Sequence, residues 1–456
     1  MVKRIDEELS HPQKILLRFF WMKAWENMKN AVRRLHPTDV AGVFPSLTRE
    51  EQLEFVDILF QEQLAAPVIA CLPEEMAREL LTELAEDKVA TMIQRVSADD
   101  AVDFLGSLPE EKTAAVLECL PQAKRWFFEK LLLYDDDSAG GIMNPDFLAI
   151  DQSISTEEAL RVIRNRSKTE HYLYAYVVDE MNHLIGVLSF RHLVFSDPGV
   201  KIRDIMIPDP VRVTADTPQE EVAKLVADYD LLAVPVVDEN NRLLGVVTVD
   251  DIIDVIEEEA TEDIYHLANL HSEINVFTPL FKTVWLRISW AMASLLTALL
   301  AALVVGLFKD TLTHIIWLAV LIPVLGTMTG NIGTQSLTVV ARALVTGELE
   351  YHQGWKVVFK ELAAGFLLGI IIGTPLGLLV YFLLGQNVLL ALLVGVSMII
   401  SLLLSTLFGA FIPLLLGWLG LDPVRGANLV VTTIANVVGF FVFLGLARWL
   451  LPHLTG

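Results

Sequence analysis

The most chemically pointed stretch of the 456-residue chain runs from Asp250 to Asp263. Asp250, Asp251, Asp254, Glu257, Glu258, Glu259, Glu262 and Asp263 are eight acids in fourteen residues, with no base among them. Ile252, Ile253, Val255, Ile256 and Ala260 between them keep a helical apolar face, so the stretch reads as one acidic helix. Like charges at i, i+4 cost a helix roughly 0.2–0.5 kcal/mol per pair, which makes it sensitive to cations. Carboxylate oxygens are also the ligands that hard divalent cations prefer. Asp216, Glu220, Glu221, Asp228 and Asp230 offer further carboxylates nearby in the chain. A solvated linker would also be acidic, but this density of acids favours a cation sensor.

A second group of polar residues sits inside apolar surroundings. One part is Gly326-Thr327-Met328-Thr329-Gly330-Asn331-Ile332-Gly333-Thr334-Gln335-Ser336; the other is Asn428, Thr432, Thr433 and Asn436 at helical spacing. Burying several amides in lipid without partners is costly, so these residues point to a polar cavity or pore lining. Asn331, Gly333, Gln335, Asn428, Thr432, Thr433 and Asn436 are its candidates. Ser397, Ser401 and Ser405 recur on one helical face and read as helix packing.

The elements that carry these residues follow from hydropathy and charge. Five apolar runs, about 287–308, 315–341, 357–384, 388–418 and 427–451, are long enough to cross the hydrocarbon. The second to fourth exceed 20 residues and contain Pro323, Pro375 and Pro413, which predicts tilt, kinks or broken helices. From residue 281 onward there are eight Lys/Arg and five Asp/Glu; the chain totals of 34 and 57 leave 26 basic and 52 acidic residues before it. The N-terminal half is therefore strongly acidic, and its natural partners are cations rather than nucleic acid. Arg342, Lys356, Lys360 and Arg425 lie in the loops on one side of the spans, Lys309 and Arg448 on the other. The positive-inside rule then puts the N-terminal half in the cytosol and, with five spans, the C-terminus outside the cytoplasmic membrane. No signal peptide is expected, because charges begin at Lys3.

Within the acidic half, Leu72-Pro73-Glu74-Glu75 and Leu108-Pro109-Glu110-Glu111 are repeated helix starts, with Ser97-Ala98-Asp99-Asp100 a variant. They predict a small helical solenoid. Cys71 and Cys119 are expected to be free and packed as small apolar residues. Tyr176–Val187 aligns with Pro235–Val246, with eight of twelve positions identical, so residues 143–258 hold an internal duplication of α/β units. This pair resembles tandem CBS domains, regulatory modules that often bind adenosine nucleotides. In the second copy Gly245, Thr248 and Asp251 are similar to the family's ribose-contacting pattern, which implies ATP or another adenosine nucleotide there. The first copy has Ser189 and His192 instead, which does not support such a site. His171, His183 and His192 are scattered and read as turn or surface residues. No nucleophile–base pair, P-loop or Cys/His cluster is present, so an enzyme is not expected.

Together these parts resemble the MgtE family of magnesium transporters. The resemblance rests on Tyr134-Asp-Asp-Asp-Ser-Ala-Gly-Gly-Ile-Met143, on Val249–Asp263 (similar to the family's connecting or "plug" helix), on Gly330–Ser336 followed by Arg342-Ala343, and on Asp422-Pro423 with Asn428 and Thr432-Thr433. The expected organisation is an amphipathic segment (1–34), a helical-repeat domain (35–133), two CBS domains (134–200 and 201–249), the connecting helix (250–280) and a five-helix transmembrane domain (281–456). The resemblance implies a homodimer with its pore on the two-fold axis, lined by the second and fifth spans. It further implies closure by Mg²⁺ bound among the connecting helix, the CBS domains and the helical domain, where Asp99, Asp100 and Asp103 join the acids above. Two positions depart from the family pattern: Asn436 replaces the usual pore aspartate, and Leu429 replaces a proline. An amide supplies no charge, so a transporter of the same architecture for another cation stays open beside the Mg²⁺ reading.

Overall fold

The computed structural model describes residues 9–454 apart from 167–171, 173, 272–273, 275, 277, 350 and 384–386. The chain divides into two units, up to Ile256 and from Glu257 onward. His171 lies outside the described residues.

The first unit begins with ten short α-helices between His11 and Leu131. Their starts follow the repeated signal, with one shift. Pro73, Pro109 and Pro121 occupy the capping position itself, with extended ψ, and the acids after Pro73 and Pro109 fill the first turn. Leu16, Leu17 and Phe20, Phe44 and Phe55, and Leu80 and Leu81 are buried in one continuous core, on which Trp21 and Trp25 also pack. The cysteines are free, but both are exposed rather than packed. Each sits at a helix C-cap (Cys71 after Ala65–Ala70, Cys119 after Glu110–Glu118), where the chain turns its side chain outward.

The duplication appears as two small sheets. In the first, strand Ala149–Asp151 runs parallel to Tyr174–Val178, which pairs antiparallel with Leu184–Ser189, followed by Ile207–Pro208. In the second, Val213–Thr214 runs parallel to Ala233–Val237, which pairs antiparallel with Leu243–Thr248. Corresponding residues build both hairpins. Asn182 and Asn241 take positive φ at the turns, a conformation that asparagine tolerates. Asp179 accepts from the Met181 and His183 amides, and Asp238 from the Asn240 and Arg242 amides, at 2.8–2.9 Å. The hairpins meet each other: the Leu184 amide donates to the Asn241 carbonyl, and the Asn241 side chain donates back to the Leu184 carbonyl.

The connecting helix, Val249–Leu267, starts in the first unit and ends in the second. The second unit holds five apolar helices: span 1 (Leu280–Leu307), span 2 (Ile316–Val345), span 3 (Gly354–Leu383), span 4 (Val388–Trp418) and span 5 (Ala427–Leu454). At 1.5 Å per residue, 28–31 residues reach about 42–46 Å, enough to cross a bilayer with tilt. The expected breaks do not occur; helix runs unbroken through Pro323, Pro375 and Pro413. Half of span 4's apolar window is buried against 6% of span 1's, so span 4 is the centre on which spans 2, 3 and 5 pack.

Backbone contact makes that packing possible. A Cβ on Gly409 of span 4 would lie 2.5 Å from the Gly333 carbonyl of span 2. Gly409→Leu should therefore overpack the bundle and cost about 1–3 kcal/mol or more. Gly445→Leu, where nothing lies within 4 Å, is the matched control. Thermal unfolding in detergent should show a lower Tm for the first variant and an unchanged Tm for the second.

Candidate ion path and acidic clusters

Acids far apart in sequence meet in the first unit. Helix Ala98–Gly106 brings Asp99, Asp100 and Asp103 near Asp250 and Asp251 at the start of the connecting helix. Burial, then Asp100, Asp99, Asp251 and Asp136, pushes the Asp103 carboxyl up to about 7, although the residue keeps surface open to solvent. Burial with Asp99 and Asp250 pushes Asp251 up to about 6 against the lowering effect of Thr248, which donates to it at 2.6 Å. Asp100 is raised by burial, Asp99 and Asp250, although Ser97 hydrogen-bonds it. Asp216, Asp228 and Asp230, named with them from sequence, are exposed, and the groups that raise Asp103 and Asp251 are others.

A second cluster forms in the second unit. Burial first, then Asp422 and Glu259, push Asp263 up to about 6, while His266 opposes. Glu262 pairs with the buried His266 at 2.8 Å. Asp422 comes from the turn before span 5, where it also accepts from the Val424 amide. Sequence reasoning used Asp422 only as part of a motif; a single acid in a loop carries no spacing signal. Asp254, Glu257 and Glu258 are exposed along the helix between the clusters. Among the described residues no three of these acids converge on a ready-made metal centre. The clusters are crowded charge rather than a finished coordination shell.

Spans 2 and 5 carry two polar layers. In the first, Thr334 donates to Asn428 Oδ1 at 2.8 Å, and Asn428 Nδ2 donates to the Leu267 carbonyl at 2.9 Å. That carbonyl is in the last turn of the connecting helix, where no later helical amide remains to bond it. In the second layer Thr329 contacts Asn436 at 3.0 Å. Eight residues separate the asparagines, about 12 Å along the helix. Asn331 and Gln335 are exposed, one turn apart on span 2. Thr432 and Thr433 bond carbonyls of their own helix. Gly333 is a packing residue rather than a lining one, because a Cβ there would lie 2.7 Å from Ser405 Oγ. Ser405 in turn donates to the Thr329 carbonyl, as a packing stripe should. Span 3 adds Glu361, which accepts from Ser336 of span 2. Its place beside Lys360 at a run boundary hid it from sequence reading.

Comparison with known proteins bears on this arrangement. Residues 322–446 match the family model described as a divalent cation transporter, 35–137 the MgtE intracellular N domain, and 139–198 with 202–258 the CBS domain. The magnesium transporter MgtE of Thermus thermophilus is 36% identical over 430 residues, covering 93% of this chain and 95% of that protein. The chain belongs to the MgtE family. MgtE of Bacillus subtilis is 29% identical, covering 92% and 93% of the two chains. The soluble part of a magnesium transporter matches with a TM-score of 0.51 and 33% identity, covering 56% of this chain and 100% of that one. The cytosolic domain of the Mg²⁺ channel MgtE in complex with ATP matches with a TM-score of 0.51 and 35% identity, over 53% and 99%. Members of the MgtE family are transporters, not enzymes.

The raised carboxylates set a pH dependence. A carboxyl whose folded pKa lies above its unfolded value of about 3.8 favours folding only while protonated. That stability is complete below about pH 4 and is lost as pH climbs through 6–7. Without divalent cations, Tm should fall between pH 5 and pH 8, and Asp103→Asn should flatten the fall. Added Mg²⁺ should raise Tm more at pH 8 than at pH 5.5, because the ion competes with protons. Thermal melts of the full chain in detergent over this range test both expectations.

Proposed function

We propose that this MgtE-family protein conducts Mg²⁺ along spans 2 and 5 and that Mg²⁺ on its acidic side closes the path. The observation that carries the reading is Asn428. One amide joins Thr334 of span 2 to the terminal carbonyl of the connecting helix. The helix that could obstruct the path also carries Asp250 and Asp251 at its start and Asp263 near its end, all in acidic company. Divalent cations neutralise both clusters and hold the helix in place; when cations are scarce, carboxylate repulsion loosens it and frees Asn428. Mg²⁺ is then both cargo and regulator, with the acids of the two clusters as the regulatory ligands.

The rest of the assignment belongs to the same proposal. The protein is a homodimer in the cytoplasmic membrane, its path on the two-fold axis, its N-terminal domains cytosolic and its C-terminus outside. Asn428, Thr432, Thr433, Asn436, Asn331 and Gln335 line the path. A hydrated Mg²⁺ exchanges its waters reluctantly, so an amide oxygen suffices for contact through the outer shell. Asn436 also favours a second reading, another cation on the same scaffold, because no carboxylate stands there. An adenosine nucleotide at the second CBS domain belongs to the same proposal; a cavity of about 920 Å³ reaches Thr248 there, with Tyr172, Tyr174 and Tyr176 of the first copy forming another part of its wall. A related cytosolic domain has been solved with ATP.

Flux into liposomes holding the purified protein tests the reading, with Mg²⁺, Ca²⁺, Mn²⁺, Co²⁺ and Na⁺ offered in turn. Mg²⁺ flux above empty liposomes is expected, falling roughly tenfold or more when Asn428 and Asn436 are both replaced by Leu. Unchanged flux in that variant contradicts the path; flux of another ion with none of Mg²⁺ selects the second reading.

A further inference from the structure

We propose that Thr329 is a positioning residue that turns the Asn436 amide so that its carbonyl oxygen, not its NH₂, faces the ion path. This rests on the reading that Asn436 lies in that path. Thr329 is fully buried on span 2. Its hydroxyl lies 3.0 Å from the Leu325 carbonyl, 3.2 Å from the Gly326 carbonyl and 3.0 Å from Asn436 Oδ1. All three are acceptors, and a hydroxyl has one proton. A threonine inside a helix places that proton on the i−4 carbonyl, here that of Leu325. Two lone-pair-bearing oxygens would then face each other at 3.0 Å with no proton between them.

The two ends of an amide are nearly the same size, so rotating it by 180° resolves the conflict. Nδ2 then donates to Thr329 Oγ1, which still has a free lone pair. Oδ1 is left on the other side of the amide. Gly326 and Gly330 leave room for this, since a Cβ on either would come only to 3.8–4.0 Å of the amide. The Thr329 backbone is itself held by Ser405 of span 4, so the hydroxyl is a fixed reference point.

Asn428 provides the contrast. Its Nδ2 donates to a backbone carbonyl, which fixes its Oδ1 as the acceptor for Thr334. The two layers therefore use a threonine hydroxyl in opposite senses. At Asn428 the hydroxyl donates, and each end of the amide is engaged. At Asn436 the hydroxyl accepts and a carbonyl oxygen is released. The distinction matters to a cation, because its bound waters present hydrogens outward and only an acceptor can receive them. An NH₂ turned to the path would oppose a cation with the positive end of its dipole. Thr329 thus sets the sign of the dipole where the family pattern relies on a carboxylate.

Mg²⁺ flux into liposomes is compared for the native chain, Thr329→Val, Thr329→Ser, Asn436→Asp, Asn436→Leu and Thr329→Val with Asn436→Asp, alongside the Tm of each. Thr329→Val should lose flux about tenfold at unchanged Tm, as for one lost orienting hydrogen bond. Thr329→Ser, which keeps the hydroxyl, should restore it. In the Asn436→Asp background Thr329→Val should change nothing further, because both carboxylate oxygens accept and no orientation is needed. An equal loss from Thr329→Val in both backgrounds would mean packing alone and would overturn the proposal, as would no loss in the native background. No native flux, or undiminished flux in Asn436→Leu, removes the path reading itself, and this inference with it.

Discussion

Carboxylates gathered without bases repel one another, and each unit of this chain brings such a group together. Asp99, Asp100 and Asp103 face Asp250 and Asp251 in the first unit, and Asp263 faces Asp422 in the second. One helix carries acids of both clusters, at its start and near its end. Burial raises the cost of charge on Asp100, Asp103, Asp251 and Asp263, and their acidic neighbours raise it again. In the proposed reading a divalent ion relieves several such repulsions at once, which couples occupancy to the position of the helix. No coordination cage is preformed among the described residues.

The membrane half works under the opposite rule. Charge is nearly absent from its polar layers, and hydroxyls and amides do the polar work. Each of the central threonines has a partner on another span: Thr334 with Asn428, and Thr329 with Asn436. Glycines let spans 2 and 4 approach closely enough for Ser405 to reach the Thr329 carbonyl. The packing stripe and the polar layers are therefore one construction. Span 4 supplies the buried floor, and spans 2 and 5 stand on it. Asn428, bonded to the end of the connecting helix, is one link between this half and the acids; the Asp263–Asp422 pair and the packing of Leu267 on the cluster of Leu337 and Val431 are others.

Much of this was legible in the residues. Five apolar runs predict five spans because hydropathy is local, and the duplicated Val-Val-Asp-Glu stretches predict two matching hairpins because turn chemistry is local too. The acidic helix announced itself by composition. What lay beyond reach were partners across long separations. The family resemblance groups Asp103 with the acids of the connecting helix, but nothing in the sequence joins Asp263 to Asp422. Gly333 read as lining because it sits among polar residues, yet the fold uses it for backbone contact. Glu361 is one isolated acid beside Lys360, and only the helix pairing brings it to Ser336. The cysteines were judged by residue type, whereas their position at helix ends decides their exposure. Thr329 is one small residue among many in the sequence, and only the fold sets it against the Leu325 and Gly326 carbonyls and the Asn436 amide.

The central claim is that cation binding to the acids fixes the connecting helix against Asn428. Amide hydrogen exchange across residues 257–270 of the full chain, with and without Mg²⁺, measures this most directly. The account predicts strong protection of that segment by Mg²⁺, weakened when Asp263 and Asp422 are both changed to Asn. Exchange that is the same with and without the ion, or protection that survives the double change, would contradict it.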